Sequence, residues 1–87
     1  MSGYELRYRQ VDGLSPEELA ARLRRSYSWR GWQMGELRRD GDGAVETVGF
    51  WSASSKRRIT IRVQLVQGAE KEVCIAWGNH HDAHGKA

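Results

Sequence analysis

Cysteine and proline each occur only once among the 87 residues. A single cysteine, Cys74, cannot form a disulfide within the chain, which excludes a disulfide-stapled secreted scaffold. No apolar run approaches the length of a membrane span, and no charged-then-apolar leader follows Met1. These absences predict a soluble protein without a membrane segment and favour a cytoplasmic location.

The residues that are present suffice for one small domain. Hydrophobic residues make up 39% of the chain and charged residues 29%, which is typical of a folded soluble domain. The formal net charge is +3 and the pI is about 9.4, so the chain is mildly basic. We expect a single domain over residues 1–78 and a flexible tail over 79–87.

Residues 14–31 carry the signals of one amphipathic helix. Ser15 is the predicted N-cap, Pro16 takes the first helical position, and Glu18 completes a capping box. Gly31 is the predicted C-terminal stop. At about 100° per residue, one apolar stripe forms the core face of the helix. This stripe consists of Leu19, Ala20, Leu23 and Tyr27.

Strand patterns precede and follow the helix. "YELRYRQV" alternates apolar and polar residues, as do "WQMGELRR", "RRITIRVQLV" and "EVCIAW". "AVETVGFW" is a further predicted strand, apolar on both faces near Phe50 and Trp51. Gly35 is a candidate β-bulge because Leu37 is out of step with Met34. The order β-α-β-β-β-β predicts an α+β domain in which one helix covers one face of a mainly antiparallel five-stranded sheet. The predicted core consists of Tyr4, Leu6, Tyr8, Leu19, Leu23, Tyr27, Trp32, Met34, Val48, Phe50, Ile59, Ile61, Val63, Leu65, Val73, Ile75 and Trp77.

The stretch "SYSWRGW" at the predicted helix end contains the best single candidate for function, Trp29. If the helix continues through Trp29, the ring lies outside the apolar stripe, beside Arg22 and Arg25 and next to Arg30. An exposed Trp among guanidinium groups is typical of a binding hot spot. If the helix instead frays at Ser28, the ring folds over the sheet edge. The uncertainty of a predicted helix end favours this second reading.

A second candidate surface is the outer face of the sheet. Arg7, Arg9, Arg58 and Arg62 all fall on the predicted face that points away from the core. Arginines on neighbouring strands could contact the phosphates of a nucleic acid. The other reading is an ordinary solvated sheet face, and the Tyr4 and Ile59 strands place no aromatic residue there for stacking on bases.

Histidines cluster near the C-terminus in "GNHHDAHGKA". His80, His81 and His84 are competent ligands for zinc, nickel or copper. The surrounding glycines argue against a held helix, and no second shell is evident to orient the imidazoles. A solvated tail is the better prediction, so we expect neither a metal nor another cofactor.

The sequence offers no catalytic constellation. Cys74 lacks a histidine at a spacing typical of a nucleophilic pair, and "DGDG" is turn chemistry rather than an acid–base site. The leading hypothesis is therefore a non-catalytic module that binds another, acidic protein, through Arg22, Arg25, Trp29 and Arg30 or through a sheet edge. Such small modules are common among accessory, regulatory and inhibitor proteins of bacteria and phages. Nucleic-acid binding is the alternative, and an edge-strand dimer is a further option.

Overall fold

The computed structural model of the chain describes residues 3–51 and 57–79. Its elements are β1 (Tyr4–Val11), α1 (Pro16–Trp29), β2 (Gln33–Met34), β3 (Arg38–Arg39), β4 (Val45–Phe50), β5 (Arg57–Gln67) and β6 (Glu70–Asn79). One helix packs against a mostly antiparallel sheet, which confirms the predicted α+β class and element order. Helix α1 is neither long nor apolar enough to span a membrane, and it is the only helix among the described residues.

The sheet follows the order β1-β6-β5-β4-β2, and β3 also pairs with β4. All of these pairings are antiparallel. The hairpin of β5 and β6 forms the centre, and β1 pairs with β6 along its whole length, from Tyr4 opposite Trp77 to Val11 opposite Glu70. The first strand of the chain therefore lies at one edge of the sheet, next to the last.

The predicted strand after the helix is divided into β2 and β3. Met34 lies opposite Gly49, whereas Arg38 lies opposite Glu46. The chain thus advances four residues on one side while β4 advances three, which is the geometry of a β-bulge. The extra residue lies at Gly35–Leu37, where the sequence indicated a bulge.

Helix α1 begins as its sequence predicts. The Ser15 hydroxyl accepts a hydrogen bond from the Glu18 backbone N–H at 3.1 Å, and the Glu18 carboxylate accepts one from the Ser15 N–H at 2.8 Å. The helix buries Leu19, Ala20 and Tyr27 and packs mainly on β5 and β4. The capping box therefore fixes the point at which the apolar stripe starts to cover the sheet.

The core lies between the helix and the inner face of β4, β5 and β6. Its buried apolar members are Leu19, Ala20, Tyr27, Val45, Ile59, Ile61, Val63, Val73 and Ile75. The predicted core is wrong in two parts of the sheet. On β4 the buried residues are Val45, Thr47 and Gly49, so Val48 and Phe50 point to the outer face. "AVETVGFW" is apolar on both faces, and the pairing of Val45 with Val63 decides the register.

The second error concerns the far strands. Tyr4 is 70% exposed and Leu6 47% exposed, and Leu65 near the end of β5 is also exposed. Their alternation correctly places them on the helix side of the sheet, opposite Trp77, Ile75 and Lys71. The helix packs chiefly on β5 and β4, so it leaves much of the inner face of β1 uncovered.

A buried ion pair ties the loop before the helix to β6. The Lys71 side chain is only 1% exposed, and its Nζ lies 2.6 Å from the Asp12 carboxylate. Nζ also donates a hydrogen bond to the Ala69 carbonyl at 3.3 Å. The Lys71 hydrogen bond, followed by one from the Leu14 backbone N–H, lowers the pKa of Asp12 to about 2. The pair thus fixes the position from which the chain enters the helix.

We expect Asp12→Ala to lower the thermal stability more than Lys71→Met. Removal of the carboxylate leaves a buried ammonium group without its partner, whereas the Asp12 carboxylate is 27% exposed and can hydrate when Lys71 is replaced. Thermal denaturation at neutral pH tests this order, with the exposed Glu36→Ala as the control. An equal loss in both variants would contradict it.

The same pair predicts a pH dependence. The folded-state pKa of Asp12 is below its unfolded value of about 4, so the contribution of the carboxylate to stability is complete above that pH. It is lost as the pH falls from about 4 through about 2. Wild type should therefore lose more stability than Asp12→Ala across this interval, measured by urea unfolding at each pH. Parallel curves would contradict the expectation.

Candidate functional site

Helix α1 ends in a Schellman motif just beyond the aromatic stretch. The Trp32 N–H donates to the Tyr27 carbonyl at 3.1 Å, and the Gly31 N–H donates to the Ser28 carbonyl at 3.0 Å. Gly31 has a φ of 106°, which an L-residue with a side chain rarely adopts. Because this motif closes the helix after Trp29, the reading in which the helix frays at Ser28 is wrong.

The side chain of Trp29 is 86% exposed. Arg22, Arg25 and Arg30 are also exposed. Within the described residues, Arg22 and Arg25 form no salt bridge. The four residues form what we call the helix-end patch. Their exposure agrees with the geometry expected for a continuous helix, and their role in binding stays a prediction.

Contacts between aromatic rings connect this helix end to the sheet. The Arg30 guanidinium lies 4.7 Å from the centre of the Tyr27 ring, a cation–π arrangement. Tyr27 meets Trp77 edge to face at 6.3 Å between ring centres, and Trp77 stacks on Tyr4 at 4.9 Å. Arg30, which belongs to the helix-end patch, thus packs on Tyr27, which belongs to the core.

A cleft opens at the end of the sheet beside these rings. Its volume is about 410 Å³, within the range of ligand and anchor-residue pockets. Trp32 and Trp51 form one wall and pack edge to face at 5.4 Å. We call this feature the tryptophan cleft. Its lining residues are Gly3, Tyr4, Trp32, Trp51, Arg57, Arg58, Trp77 and Gly78.

Sequence reasoning missed this cleft. It assigned Trp32 and Trp77 wholly to the core, whereas both are half-buried and present part of their rings to the cleft. Three of the four tryptophans occur where a strand begins or ends, and that position was the available signal. Their convergence depends on the strand order, which places those ends of β1, β6, β5, β4 and β2 side by side.

Most of the outer-face arginines are paired with carboxylates. Arg7 contacts Glu5 and lies 3.5 Å from Glu72, and Arg9 lies 3.4 Å from Glu70. Arg62 contacts Asp40 and lies 3.2 Å from Asp42. Arg58 differs, because its buried Nε has no hydrogen-bond partner. The outer face therefore carries alternating charges rather than a continuous positive surface.

Chemically reactive groups are few among the described residues. The Cys74 thiol donates a hydrogen bond to the Glu5 carboxylate at 3.2 Å, and burial, together with this bond, raises the pKa of Cys74. The thiol is thus held in its protonated, weakly nucleophilic form. No group of three or more His, Cys, Asp or Glu side chains in this part of the chain is placed to hold a metal ion. His80, His81 and His84 lie outside the described residues.

Gly31 gives a direct test of the helix-end geometry. We expect Gly31→Ala to destabilise the fold by about 1–2 kcal/mol, because its φ of 106° is strained for alanine. The new Cβ would also lie 3.4 Å from the Trp51 ring. Gly13→Ala is the control, since its Cβ meets nothing within 4 Å. Urea unfolding measures both, and equal effects would contradict the assigned motif.

Comparison of the chain with models of protein families, with curated proteins and with solved structures finds no match. No relative therefore assigns a function to the helix-end patch or to the tryptophan cleft. What these surfaces can bind follows from their exposure, charge and shape.

Proposed function

We propose that the chain is a non-catalytic module that binds another protein through the helix-end patch. The observation that carries this proposal is the 86% exposure of Trp29 on a helix that continues through it. Tryptophan and arginine are the residues most enriched at interface hot spots, and the patch combines one Trp with three Arg.

The free energy available from Trp29 is large enough to matter. A tryptophan side chain can bury about 150–250 Å² of surface, which corresponds to an upper bound of about 4–6 kcal/mol before the costs of association. Within the folded chain almost none of this is gained, because the ring remains in solvent. A partner that covers Trp29 would recover much of it.

Charge specifies the kind of partner. Arg25 lies one turn before Trp29 on the helix, and Arg22 lies two turns before it. Neither arginine is neutralised by a carboxylate in the described part of the chain. An acidic surface would pair with these guanidinium groups and accelerate association at low salt. The adjoining tryptophan cleft offers a concave site for an apolar anchor of the same partner.

An enzymatic role gains little support from the described residues. Burial and the hydrogen bond to the Glu5 carboxylate keep the Cys74 thiol protonated. The cleft is lined by aromatic rings, arginines and glycines, and its lining includes no carboxylate or histidine. A reducing, cytoplasmic compartment suits a chain with one unpaired thiol, and we include that location in the proposal.

Nucleic-acid binding by Arg7, Arg9, Arg58 and Arg62 is the weaker alternative. One observation favours it, since Phe50 lies opposite Arg58 on the outer face and supplies an aromatic ring beside a cation. The ion pairs of Arg7, Arg9 and Arg62 oppose it, because phosphates would have to displace carboxylates already in place.

Trp29→Ala tests the leading proposal. The variant should weaken partner binding by about 2 kcal/mol or more, while the free energy of unfolding changes by less than about 0.5 kcal/mol because the ring is in solvent. Proteins captured by wild type and by the variant would be compared by mass spectrometry, and the affinity of each differential partner measured by calorimetry.

The matched control for this experiment is Leu65→Ala, which removes an exposed apolar side chain near the β5–β6 turn, away from the patch. It should leave capture unchanged. Equal capture by wild type and Trp29→Ala would sink the proposal, as would unfolding of the variant, which would assign Trp29 to the core.

Oligonucleotide binding tests the alternative. Fluorescence anisotropy with labelled single- and double-stranded oligonucleotides at about 50 and 200 mM salt would detect a phosphate-contacting surface, whose affinity falls by orders of magnitude between those conditions. We expect no salt-dependent binding at micromolar protein. Binding that Arg58→Gln and Arg62→Gln reduce, with a shallower salt slope, would favour the nucleic-acid function instead.

A further inference from the structure

Strand β1 leaves a long edge of the sheet open. It pairs with β6 on one side along all eight residues, and no strand lies on its other side within the described residues. It contains neither proline nor glycine, and its register with β6 has no bulge. Such an edge presents unpaired backbone N–H and C=O groups to any strand that can align with it.

The opposite edge is protected. Strands β2 and β3 have two residues each, and the Arg24 side chain donates a hydrogen bond to the Gly35 carbonyl between them. Short, bulged and capped strands resist edge-to-edge pairing. The contrast identifies β1 as the edge that is available for strand addition.

The inner face beside this edge is also uncovered. Tyr4 and Leu6 point to the helix side of the sheet and remain 70% and 47% exposed. A strand added to β1 would therefore gain backbone hydrogen bonds and bury apolar side chains together. The side chains along β1 indicate which strand can be added to it.

We infer that the chain forms a twofold homodimer in which β1 pairs antiparallel with β1 of a second copy. Residues opposite each other across an antiparallel pair point to the same face of the sheet. A twofold axis must therefore lie between the two copies of one residue, which are opposite each other. The two registers with the longest overlap place either Arg7 or Tyr8 on that axis.

Charge selects between these two registers. With Tyr8 on the axis, Arg7 lies opposite Arg9 of the second copy, and this repulsion occurs twice. With Arg7 on the axis, Glu5 lies opposite Arg9 of the second copy twice, and Leu6 lies opposite Tyr8. The Arg7 groups that then face each other each contact Glu5, with Glu72 nearby. The register centred on Arg7 is therefore the complementary one.

The dimer would cover the surface that the helix leaves bare. A twofold axis perpendicular to the sheet places both helices on the same side, with a trough between them. The exposed faces of Tyr4 and Leu6 from both copies line this trough. The helix-end patch is not part of the interface, so the dimer and the proposed function are independently testable.

Two single variants of the full chain test the register. In Glu5→Arg both cross-strand pairs become Arg–Arg, and in Arg9→Glu both become Glu–Glu, so each homodimer should weaken by about 10-fold or more. Mixed in equal amounts, the two variants restore two Arg–Glu pairs and should form a heterodimer at least about 10-fold tighter than either homodimer. Sedimentation equilibrium and native mass spectrometry measure these species.

Controls separate the interface from the fold. Arg25→Glu changes the same charge on the helix and should leave the dimer intact, whereas Leu6→Lys places a charge in the trough and should give monomers. Circular dichroism and thermal denaturation verify that each variant folds. If Glu5→Arg or Arg9→Glu unfolds, Glu5→Gln and Arg9→Gln are used in the same mixing experiment. Each of these two variants should weaken its homodimer.

Three outcomes would overturn the inference. Wild type that remains monomeric up to about 1 mM would exclude the dimer. Stronger association of Arg9→Glu alone would indicate the register centred on Tyr8, since Arg7 then faces a carboxylate. Dissociation of the dimer by Trp29→Ala but not by Leu6→Lys would move the interface to the helix end.

Discussion

The width of one helix is the constraint on which the rest of this structure depends. An α-helix is about 10 Å across with its side chains, and neighbouring strands lie about 4.8 Å apart, so one helix covers about two strands. The sheet has five strands along its main path. Helix α1 packs mainly on β4 and β5, and the buried core follows those strands and the adjacent face of β6. Strand β1 remains with its inner face largely in solvent.

The two ends of the helix are held by different kinds of interaction. At its start, the capping box and the buried pair of Lys71 and Asp12 fix both the helix and the preceding loop. At its end, the helix is held by the Schellman motif, by the contact of Tyr27 with Trp77 and by the contact of Trp32 with Trp51. Polar groups thus anchor one end of the helix, whereas aromatic rings anchor the other. The half-buried rings line a cleft beside the exposed Trp29, and the proposed binding surface lies at this end.

Local signals predicted much of the fold. The capping box at Ser15, the stop at Gly31 and the bulge near Gly35 are each determined by a few neighbouring residues, and each is confirmed. The errors occurred where the apolar pattern of a strand was ambiguous, or where burial depended on which strands the helix covers. Residues 44–51 are apolar on both faces, so their register depended on β5. The exposure of Tyr4 and Leu6 depended on which strands the helix covers.

The sequence by itself determined the element order, the start of the helix and the face of each clearly alternating strand, because capping, turn chemistry and periodicity act over a few residues. Only the tertiary structure decided the strand order, the placement of Lys71 beside Asp12 and the meeting of Trp32, Trp51 and Trp77 in one cleft. It also decided that Arg7, Arg9 and Arg62 face carboxylates from other strands and turns. These features join residues far apart in the chain, and their positions follow from which strands pair and where a single helix comes to rest.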